Sequence, residues 1–265
     1  MDYLEKIAAY KKKEIDALIQ AVNSNPAHPL HAILKEERKP TGHFSSALKG
    51  ADLAVIGEVK RRSPSKGDMA EIEDPLALAL TYSQGGVSAI SVLTDSRSFG
   101  GSLSDLQRVS QGQAVPTLRK DFIMHPLQLA EAVFAGASAA LLIVRLIGKD
   151  LKTFIKAASR LGLETLTEIH DREELELALE AEAPIIGVNH RNLNTFEMDL
   201  GLSEELRPLI PSHVIAVAES GIHTPEDAKK MRDLGYDAIL VGEALVRAKD
   251  PSALIRQMKG GDHES

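Results

Sequence analysis

The sequence predicts an α/β protein, a (β/α)8 TIM barrel with an N-terminal helical extension, and three observations support that fold. Eight short apolar runs are each followed by helical material. The runs recur at roughly the 20–35-residue spacing of one βαβ step. Most of them lack strict alternation of apolar and polar residues, as strands do when helices cover one face and a packed interior covers the other. Eight parallel β/α units of this kind close into a barrel.

The chain opens with helices that precede this regular alternation. Leu4, Ile7 and Ile15 recur at helical spacing, which predicts one amphipathic helix from Asp2 to about Val22. The segment NSNPAHP interrupts it, and a second helix is predicted to include FSSALK and to end at the glycine that follows. We interpret residues 1–50 as an N-terminal helical extension.

The barrel elements follow from Leu53 onward. The predicted strands, in chain order, are LAVIGEVK, VSAISVLTD, VPTLRKDF, AALLIV, LETLTEIH, PIIGVNH, VIAVAES and DAILVG. The helical stretches include PLALALTYSQGG, PLQLAEAVFAGA, LKTFIKAASRLG, REELELALEAEA and PEDAKKMRDLGY. No linker-like stretch divides the chain, so we predict one domain over residues 1–265. A doubly wound open sheet is the alternative, but its usual G-x-G-x-x-G turn after the first strand is missing here.

Composition narrows the possible functions. The chain has 265 residues, 43% of them hydrophobic, which suffices for a large core. A net charge of −7 favours neither nucleic acid nor a membrane as partner, although a local site for a small anion is compatible with it. The chain has no cysteine, secretory signal or transmembrane-length apolar run. We expect a cytoplasmic protein without metal or cofactor, acting as a monomer, with a weak dimer as the alternative.

Five predicted strands end in charged or amide side chains on an apolar background. These ends are Glu58-Val59-Lys60, Lys120-Asp121-Phe122, Glu168-Ile169-His170, Asn189-His190-Arg191 and Glu219-Ser220-Gly221. The carboxyl ends of barrel strands form one rim, and residues i and i+2 of a strand face the same side. One such end would be a solvated boundary residue, whereas five on one rim favour a functional site.

Two lysines and three glutamates are predicted to converge at this rim: Lys60, Lys120, Glu58, Glu168 and Glu219. Carboxylates beside a lysine keep it protonated, and lysines beside a glutamate keep it ionised. A protonated lysine can serve as a general acid and an ionised glutamate as a general base. A structural ion-pair network is the alternative, and residue types alone do not separate the two.

Two later turns indicate phosphate binding. Residues 219–222 (ESGI) and 241–251 (VGEALVRAKDP) follow the seventh and eighth predicted strands, where many barrels bind phosphate. Glycine lets backbone N–H groups approach an anion, although left-handed turns need glycine in any case. Glu243 beside Gly242 must point away from such an anion. The basic segment 60–68 (KRRSPSKGD) is interpreted as a mobile loop over the site, with a localisation or phosphorylation signal as the alternative.

The strand-end motifs resemble those of a known family. In order, EVKRRSPSKG, LRKDFI, LTEIH, GVNHRNL, AESGI and VGEAL resemble motifs of indole-3-glycerol phosphate synthase, and the match covers essentially the whole chain. The resemblance implies the monofunctional form and a phosphorylated small-molecule substrate, 1-(2-carboxyphenylamino)-1-deoxyribulose 5-phosphate. It implies closure of a pyrrole ring with release of carbon dioxide and water, and no cofactor.

The resemblance also implies roles for the rim residues. By the resemblance of their motifs, Lys120 corresponds to a general acid of the family and Glu168 to a general base. Lys60 is similar to a second acid or charge stabiliser held by Glu58, and which lysine serves which step stays open. The residues that would orient the substrate are Asn189 and Glu219.

Substrate binding is implied by the same motifs. Ser63 and Arg191 would lie near the anthranilate end, and Phe122 would pack on its ring. The phosphate contacts would be Ser220, Gly221 and Gly242. Some family members have serine where this chain has Glu243, which removes one hydroxyl donor.

Two rival functions fit the sequence less well. Another phosphate barrel enzyme, phosphoribosylanthranilate isomerase, would need a Cys/Asp acid–base pair, and no cysteine is present. A non-catalytic barrel that binds a sugar phosphate would be expected to lose at least one polar strand end, and all are occupied.

Overall fold

Eight parallel strands close into a barrel in the computed structural model, which describes residues 3–64, 67–69 and 71–260. The strands are β1 (Ala54–Val59), β2 (Ala89–Leu93), β3 (Thr117–Lys120), β4 (Ala139–Ile143), β5 (Glu164–Ile169), β6 (Ile185–Asn189), β7 (Ile215–Glu219) and β8 (Ala238–Val241). Neighbours in the chain pair with each other, and β8 pairs with β1 to complete the ring. The predicted (β/α)8 barrel is confirmed.

Helical segments follow every barrel strand. The helices are α1 (Tyr3–Ser24), α2 (Leu30–Lys35), α3 (His43–Leu48), α4 (Pro75–Gln84), α5 (Ser96–Phe99), α6 (Leu103–Gly112), α7 (Pro126–Phe134), α8 (Val144–Ile147), α9 (Leu151–Arg160), α10 (Arg172–Glu180), α11 (Gly201–Leu206), α12 (Pro225–Asp233), α13 (Glu243–Arg247) and α14 (Pro251–Met258). Short 3-10 turns occupy Gly148–Asp150 and Arg207–Leu209. Several helices begin at a proline behind a side-chain cap, as α4 does behind Asp74, and this explains why their starts were predictable.

The N-terminal extension is helical, as predicted, but it contains one more helix than expected. The additional helix, α2, begins after Pro29, between the two predicted helices. Six residues are too few for a periodic pattern to be recognised, and tertiary packing against α7 stabilises this helix. The first helix extends two residues past the predicted end at Val22, and its predicted start, Asp2, lies outside the described residues.

The extension reaches both ends of the barrel. Phe44 and Leu48 of α3 are fully buried in one apolar cluster with Ile56 and Ile215 of the barrel interior. The backbone N–H groups of Phe44 and Ser45 donate to the carboxylate of Glu164 at the start of β5, at 2.8 and 3.1 Å. The helix α3 therefore closes the amino-terminal end of the barrel.

The interior of the barrel is apolar toward the amino ends of the strands and polar at their carboxyl ends. Ile56, Leu118, Leu141 and Leu166 belong to the same interior cluster, and their strands continue toward the polar carboxyl ends. Alternation places residues two positions apart on the same side, so Glu168 faces inward above Leu166. No helix among the described residues has the length and apolar character needed to cross a membrane.

Candidate active site

One pocket at the carboxyl ends of the strands collects every residue that the sequence predicted for the site. The predicted catalytic residues lining it are Glu58, Lys60, Lys120, Glu168, Asn189 and Glu219. The predicted substrate-binding residues lining it are Ser63, Phe122, Arg191, Ser220, Gly221 and Gly242. Residues separated by more than 180 positions in the chain thus share one opening, as the rim argument predicted.

Lys120 lies between two carboxylates at the centre of the pocket. Its Nζ is 2.9 Å from Oε2 of Glu168 and 3.2 Å from Oε2 of Glu219. Both glutamate side chains are 1% exposed, so the three charges interact with little solvent screening. Neither oxygen of Glu219 accepts an aligned hydrogen bond from the described residues, although Oε2 contacts Nζ of Lys120 as an ion pair.

Burial and mutual attraction set the protonation states of these three groups. Burial alone would lower the pKa of Lys120, but Glu168, Glu219 and Glu58 outweigh burial and raise that pKa. Burial would raise the pKa of Glu168, but Lys120 and His170 lower it. Burial raises the pKa of Glu219 to about 7, with Lys120 opposing the rise and Glu168 adding to it. The site therefore holds an ammonium, a carboxylate and a carboxyl group that titrates near neutrality.

A second ion pair stands beside the first. Nζ of Lys60, one residue beyond β1, lies 2.7 Å from Oε1 of Glu58. A side chain at Gly242 would place its Cβ 2.5 Å from Oε1 of Glu58 and 3.0 Å from Nζ of Lys60. The absence of a side chain at Gly242 therefore makes room for this pair, in addition to the phosphate role that the sequence suggested.

Gly187 makes the corresponding space for Glu219. This glycine lies in β6 and faces the interior, where a Cβ would be 2.0 Å from Oε1 of Glu219. Sequence reasoning missed this residue. A glycine inside the apolar strand IIGVN was a usable signal, because an isolated strand glycine often marks a close approach of another group.

The loop after β6 contributes Asn189 and Arg191. Oδ1 of Asn189 accepts a hydrogen bond from the backbone N–H of Arg191 at 3.0 Å, which fixes the turn out of the strand. Arg191 forms an isolated bridge with Met198, and its Nη1 lies 3.4 Å from the carbonyl oxygen of Phe196. The guanidinium group is thereby held at the edge of the pocket.

Aromatic side chains form much of the remaining wall. Phe122 stacks on Phe99 with ring centroids 5.9 Å apart, and Tyr3 meets Phe196 edge-on at 4.9 Å. All four line the pocket, although the whole chain has only six phenylalanines and four tyrosines. Sequence reasoning found only Phe122. Phe99 and Phe196 follow the second and sixth predicted strands, which was an available signal for them, whereas Tyr3 in the N-terminal helix carried none.

The proposed phosphate end has unusual backbone geometry. Ser220 and Gly221 both have positive φ, at 67° and 73°. The positive φ of Gly221 favours glycine, whereas the Cε of Met198 that a Cβ there would meet at 2.5 Å is the end of a flexible, exposed side chain that can move aside. Glu243, which also lines the pocket, lies 3.5 Å from Nε of Arg247 one turn along α13.

In the described part of the basic segment after β1, the arginine side chains are held by ion pairs and hydrogen bonds. Arg61 pairs with Asp105 at 2.6 Å, and Arg62 donates to the carbonyl oxygens of Ser96 and Arg97. Arg62 and Ser63 pair with Gly67 and Asp68 in a short antiparallel hairpin. Two residues of the predicted mobile loop, Ser65 and Lys66, lie outside the described residues, so its mobility stays a prediction.

Among the described residues, no group of three or more His, Asp or Glu side chains is arranged to hold a metal ion.

Comparisons with known proteins agree with this geometry. A family model described as "Indole-3-glycerol phosphate synthase" matches residues 4–258. The chain is 45% identical to an indole-3-glycerol phosphate synthase of Opitutus terrae, covering 97% of this chain and 98% of the relative. It is 43% identical to indole-3-glycerol phosphate synthase 1 of Streptomyces coelicolor, covering 94% and 96%, and 49% identical to the Streptomyces griseus enzyme, covering 80% of each.

Among solved structures, the N-acetylmannosamine-6-phosphate 2-epimerase of Clostridium perfringens has a similar fold. The TM-score is 0.60 at 17% identity, covering 85% of this chain and 99% of that one, and such a likeness concerns the fold alone. The family match over nearly all of the chain and the close relatives identify more than the fold. The chain belongs to the indole-3-glycerol phosphate synthase family.

Proposed function

We propose that the barrel mouth closes the pyrrole ring of indole-3-glycerol phosphate, with Lys120 as general acid and Glu168 as general base. The activity is that of a carboxy-lyase acting on 1-(2-carboxyphenylamino)-1-deoxyribulose 5-phosphate. The observation that carries the assignment is the position of Lys120, whose Nζ lies 2.9 Å from Glu168 and 3.2 Å from Glu219 in a buried site. One ammonium donor and one ionised carboxylate are thus within reach of the same reacting atoms.

The reaction needs an acid twice and a base once. The aryl carbon that bears the carboxylate attacks the ketone carbon, and the ketone oxygen takes a proton as the carbon–carbon bond forms. Carbon dioxide then leaves and aromaticity returns. Finally the hydroxyl group leaves as water after taking a proton, while the neighbouring carbon loses a proton to the base. The atoms of the substrate are thereby divided among indole-3-glycerol phosphate, carbon dioxide and water.

Lys120 can donate although its pKa is raised. The proton is needed only as negative charge develops on the ketone oxygen, and an alkoxide is far more basic than an amine. Before that moment the ammonium group stabilises the developing charge in a site with little water. Glu168 remains ionised because Lys120 and His170 offset the cost of its burial, so a base is available in the same pocket.

Lys60 supplies the second acid or stabilises charge at the departing hydroxyl. Its contact with Glu58 at 2.7 Å holds the ammonium group at the mouth, where its side chain is 18% exposed. If Lys60 serves the dehydration, a Lys60→Met variant should release carbon dioxide without forming indole. Mass spectrometry would then detect an intermediate equal to the substrate less carbon dioxide.

The remaining lining residues bind the two ends of the substrate. Phe122, stacked on Phe99, offers an apolar face for the anthranilate ring. Arg191 and Ser63 would lie at the carboxylate of that ring, where a guanidinium group favours an anion. The residues at the phosphate end are Ser220, Gly221 and Gly242, and those that orient the sugar chain are Asn189 and Glu219. The left-handed turn at Ser220 and Gly221 supports this assignment.

The extension and the barrel form one domain in this proposal, acting as a cytoplasmic monomer. The shared apolar cluster of Phe44 and Leu48 with the barrel interior supports a single cooperative unit. A single unfolding transition by circular dichroism and a monomer mass by light scattering are the expected results.

The chain contains no tryptophan, which makes the product visible against the protein's own emission. Adding the carboxyphenylamino sugar phosphate to the wild type should produce indole fluorescence that grows with time. Lys120→Met should lower kcat by about 10²–10⁴-fold while the circular dichroism spectrum is unchanged. A wild type that forms no indole from intact substrate would refute the function, and an undiminished Lys120→Met rate would remove the role of that residue.

A further inference from the structure

His170 stands directly behind Glu168, on the side away from the substrate pocket. It follows β5 by one residue, its side chain is 4% exposed, and it is not among the residues that line the pocket. Nε2 of His170 lies 3.3 Å from Oε1 of Glu168, an ion-pair contact without an aligned hydrogen bond, while the other oxygen of Glu168 faces Lys120. Glu168 is thus held between two nitrogen groups, one inside the pocket and one outside it.

A second carboxylate holds the other side of the imidazole. Nδ1 of His170 lies 3.1 Å from Oε2 of Glu174, which also accepts the backbone N–H of His170 at 2.8 Å. The other oxygen of Glu174 accepts from Nε of Arg145, and Arg145 pairs with Asp171 at 2.7 Å. Positive and negative groups therefore alternate from the pocket to the surface of the barrel.

This geometry favours the imidazolium form of His170. Ionised carboxylates only accept hydrogen bonds, and a neutral imidazole carries an N–H on one ring nitrogen and a lone pair on the other. With a carboxylate oxygen near each nitrogen, only the doubly protonated ring avoids facing a lone pair toward an anion. Burial would lower the pKa of His170, but Glu168 and Glu174 outweigh burial and raise it to about 9.

The cation at His170 matters most while Lys120 is neutral. Glu168 is buried near two other acidic groups, Glu219 and Glu58, so an ionised state there needs a positive neighbour. Lys120 supplies that charge at rest but loses it when it donates its proton to the substrate. His170 does not touch the substrate pocket, so its charge is available throughout the cycle.

We propose that His170, fixed by Glu174, is a positioning residue that orients the Glu168 carboxylate and keeps it ionised after Lys120 has given up its proton. The proposal rests on the role of Glu168 as general base. The charged groups that face Glu168 are Lys120 from β3, Glu219 from β7 and His170 itself, and Glu58 from β1 acts on Lys120 and Glu219. Those that face His170 are the two glutamates, with Arg145 and Asp171 behind Glu174.

The test is the pH dependence of kcat, which reports ionisations in the substrate complex where Lys120 gives up its proton, for the wild type and His170→Gln, measured by indole fluorescence. Glutamine keeps a hydrogen-bond donor but removes the charge, which raises the pKa of Glu168. The base is then ionised only at higher pH, so the acidic limb should move upward by about 1–3 pH units. The rate should recover above that limb, which a variant damaged only in structure would not show.

Two controls separate this proposal from the proposed function. Glu168→Gln should be inactive at every pH, and its full activity would remove the base role together with the proposal. His190→Gln alters another buried histidine, which contacts Ser203 and Ser220 instead of Glu168, and should leave the acidic limb in place whatever its rate. An active wild type with an unmoved limb in folded His170→Gln would overturn the proposal alone.

A second measurement needs no variant at His170. Nitrogen-15 NMR of the nine histidines should show one buried ring protonated on both nitrogens at pH 7.5. In Glu174→Gln that ring should lose its second proton at a lower pH, because one of its two carboxylates is gone. If no buried ring is doubly protonated at pH 7.5 in the wild type, the proposal is wrong.

Discussion

Two buried charge clusters lie around the end of β3: every residue of the first lines the pocket, whereas only Asp121 of the second does. The mouth cluster consists of Lys120, Glu168 and Glu219. The outer cluster consists of Lys11, Asp95, Arg119 and Asp121, where Lys11 comes from α1 and lies 2.9 Å from Asp95 and 2.7 Å from Asp121. Lys120 and Asp121 are adjacent in the chain, yet their side chains serve different clusters.

The two clusters differ in how fully their polar atoms are paired. One oxygen of Asp121 meets Lys11 and the backbone N–H of Phe122, and the other meets Arg119 and Thr94. Burial would raise the pKa of Asp121, but Arg119 and Lys11 lower it to about 2. In the mouth cluster, both oxygens of Glu219 lack an aligned hydrogen bond from described residues.

Buried ion pairs therefore do not by themselves indicate catalysis. The outer cluster is saturated by its own residues and ties the extension to the barrel, as a structural network should. The mouth cluster keeps unused hydrogen-bonding capacity beside a pocket, and its pKa values diverge. Residue types alone did not separate a catalytic ion-pair cluster from a structural one. The two are separated by whether the carboxylate oxygens already have all of their hydrogen-bond partners within the protein.

Deleting one ammonium group from each cluster should separate the two roles most strongly. Lys11→Met leaves Asp95 and Asp121 short of a cation in a buried site, so the free energy of unfolding should fall by about 3–5 kcal/mol. Denaturant unfolding followed by circular dichroism measures this change. Lys120→Met should instead lose activity with less loss of stability, because Glu219 can take a proton. Equal losses of stability in the two variants would contradict the comparison.

A smaller effect is expected from a methyl group placed against the mouth cluster. Gly187→Ala would force the Glu219 carboxylate to move, which should cost about 1–3 kcal/mol of stability and lower kcat/KM. Gly112→Ala is the matched control, because its Cβ would meet Cδ1 of Leu76 at 2.4 Å and neither residue lines the pocket. That variant should lose stability while its kcat/KM at a permissive temperature stays near that of the wild type. A Gly187→Ala enzyme with unchanged kcat/KM would show that Glu219 tolerates displacement.

The smallest effect concerns pH. The pKa of Glu219 is raised to about 7 in the folded protein, so the unfolded chain loses this proton at a lower pH than the folded protein does. The free energy of unfolding therefore falls as the pH rises from the ordinary glutamate pKa to about 7. Glu219→Gln removes this cost, so the variant should be more stable than the wild type at pH 8 and should gain less at pH 5. Thermal unfolding at both pH values measures the difference. A gain that is larger at pH 5 would reverse the assigned direction of the shift.

The mouth cluster could be predicted from sequence because it depends on two simple rules. The carboxyl ends of the strands share a rim, and alternate residues share a face, so the positions of Lys120, Glu168 and Glu219 at their strand ends were sufficient. The outer cluster could not be predicted in the same way. The position of Lys11 in the amphipathic pattern of α1 says only that it is polar, and its partners are more than 80 residues away.

Other omissions have equally local causes. Tyr3 was part of a helix read only for its apolar spacing, and the pattern contains nothing about which end of the barrel that helix reaches. His170 was noted at a strand end, but its partner Glu174 lies on the following helix, and their approach depends on the turn between them. Such contacts arise from tertiary packing, which neither periodicity nor turn chemistry specifies.

The extension has a consequence for anyone who would shorten this enzyme. Tyr3 forms part of the wall around the substrate, while Phe44 and Ser45 seal the opposite end against Glu164. Removing the residues before β1 to obtain a minimal scaffold would expose the substrate pocket at the carboxyl ends of the strands and the apolar interior at their amino ends. The N-terminal extension is therefore an integral part of the barrel, because it contacts both of its ends.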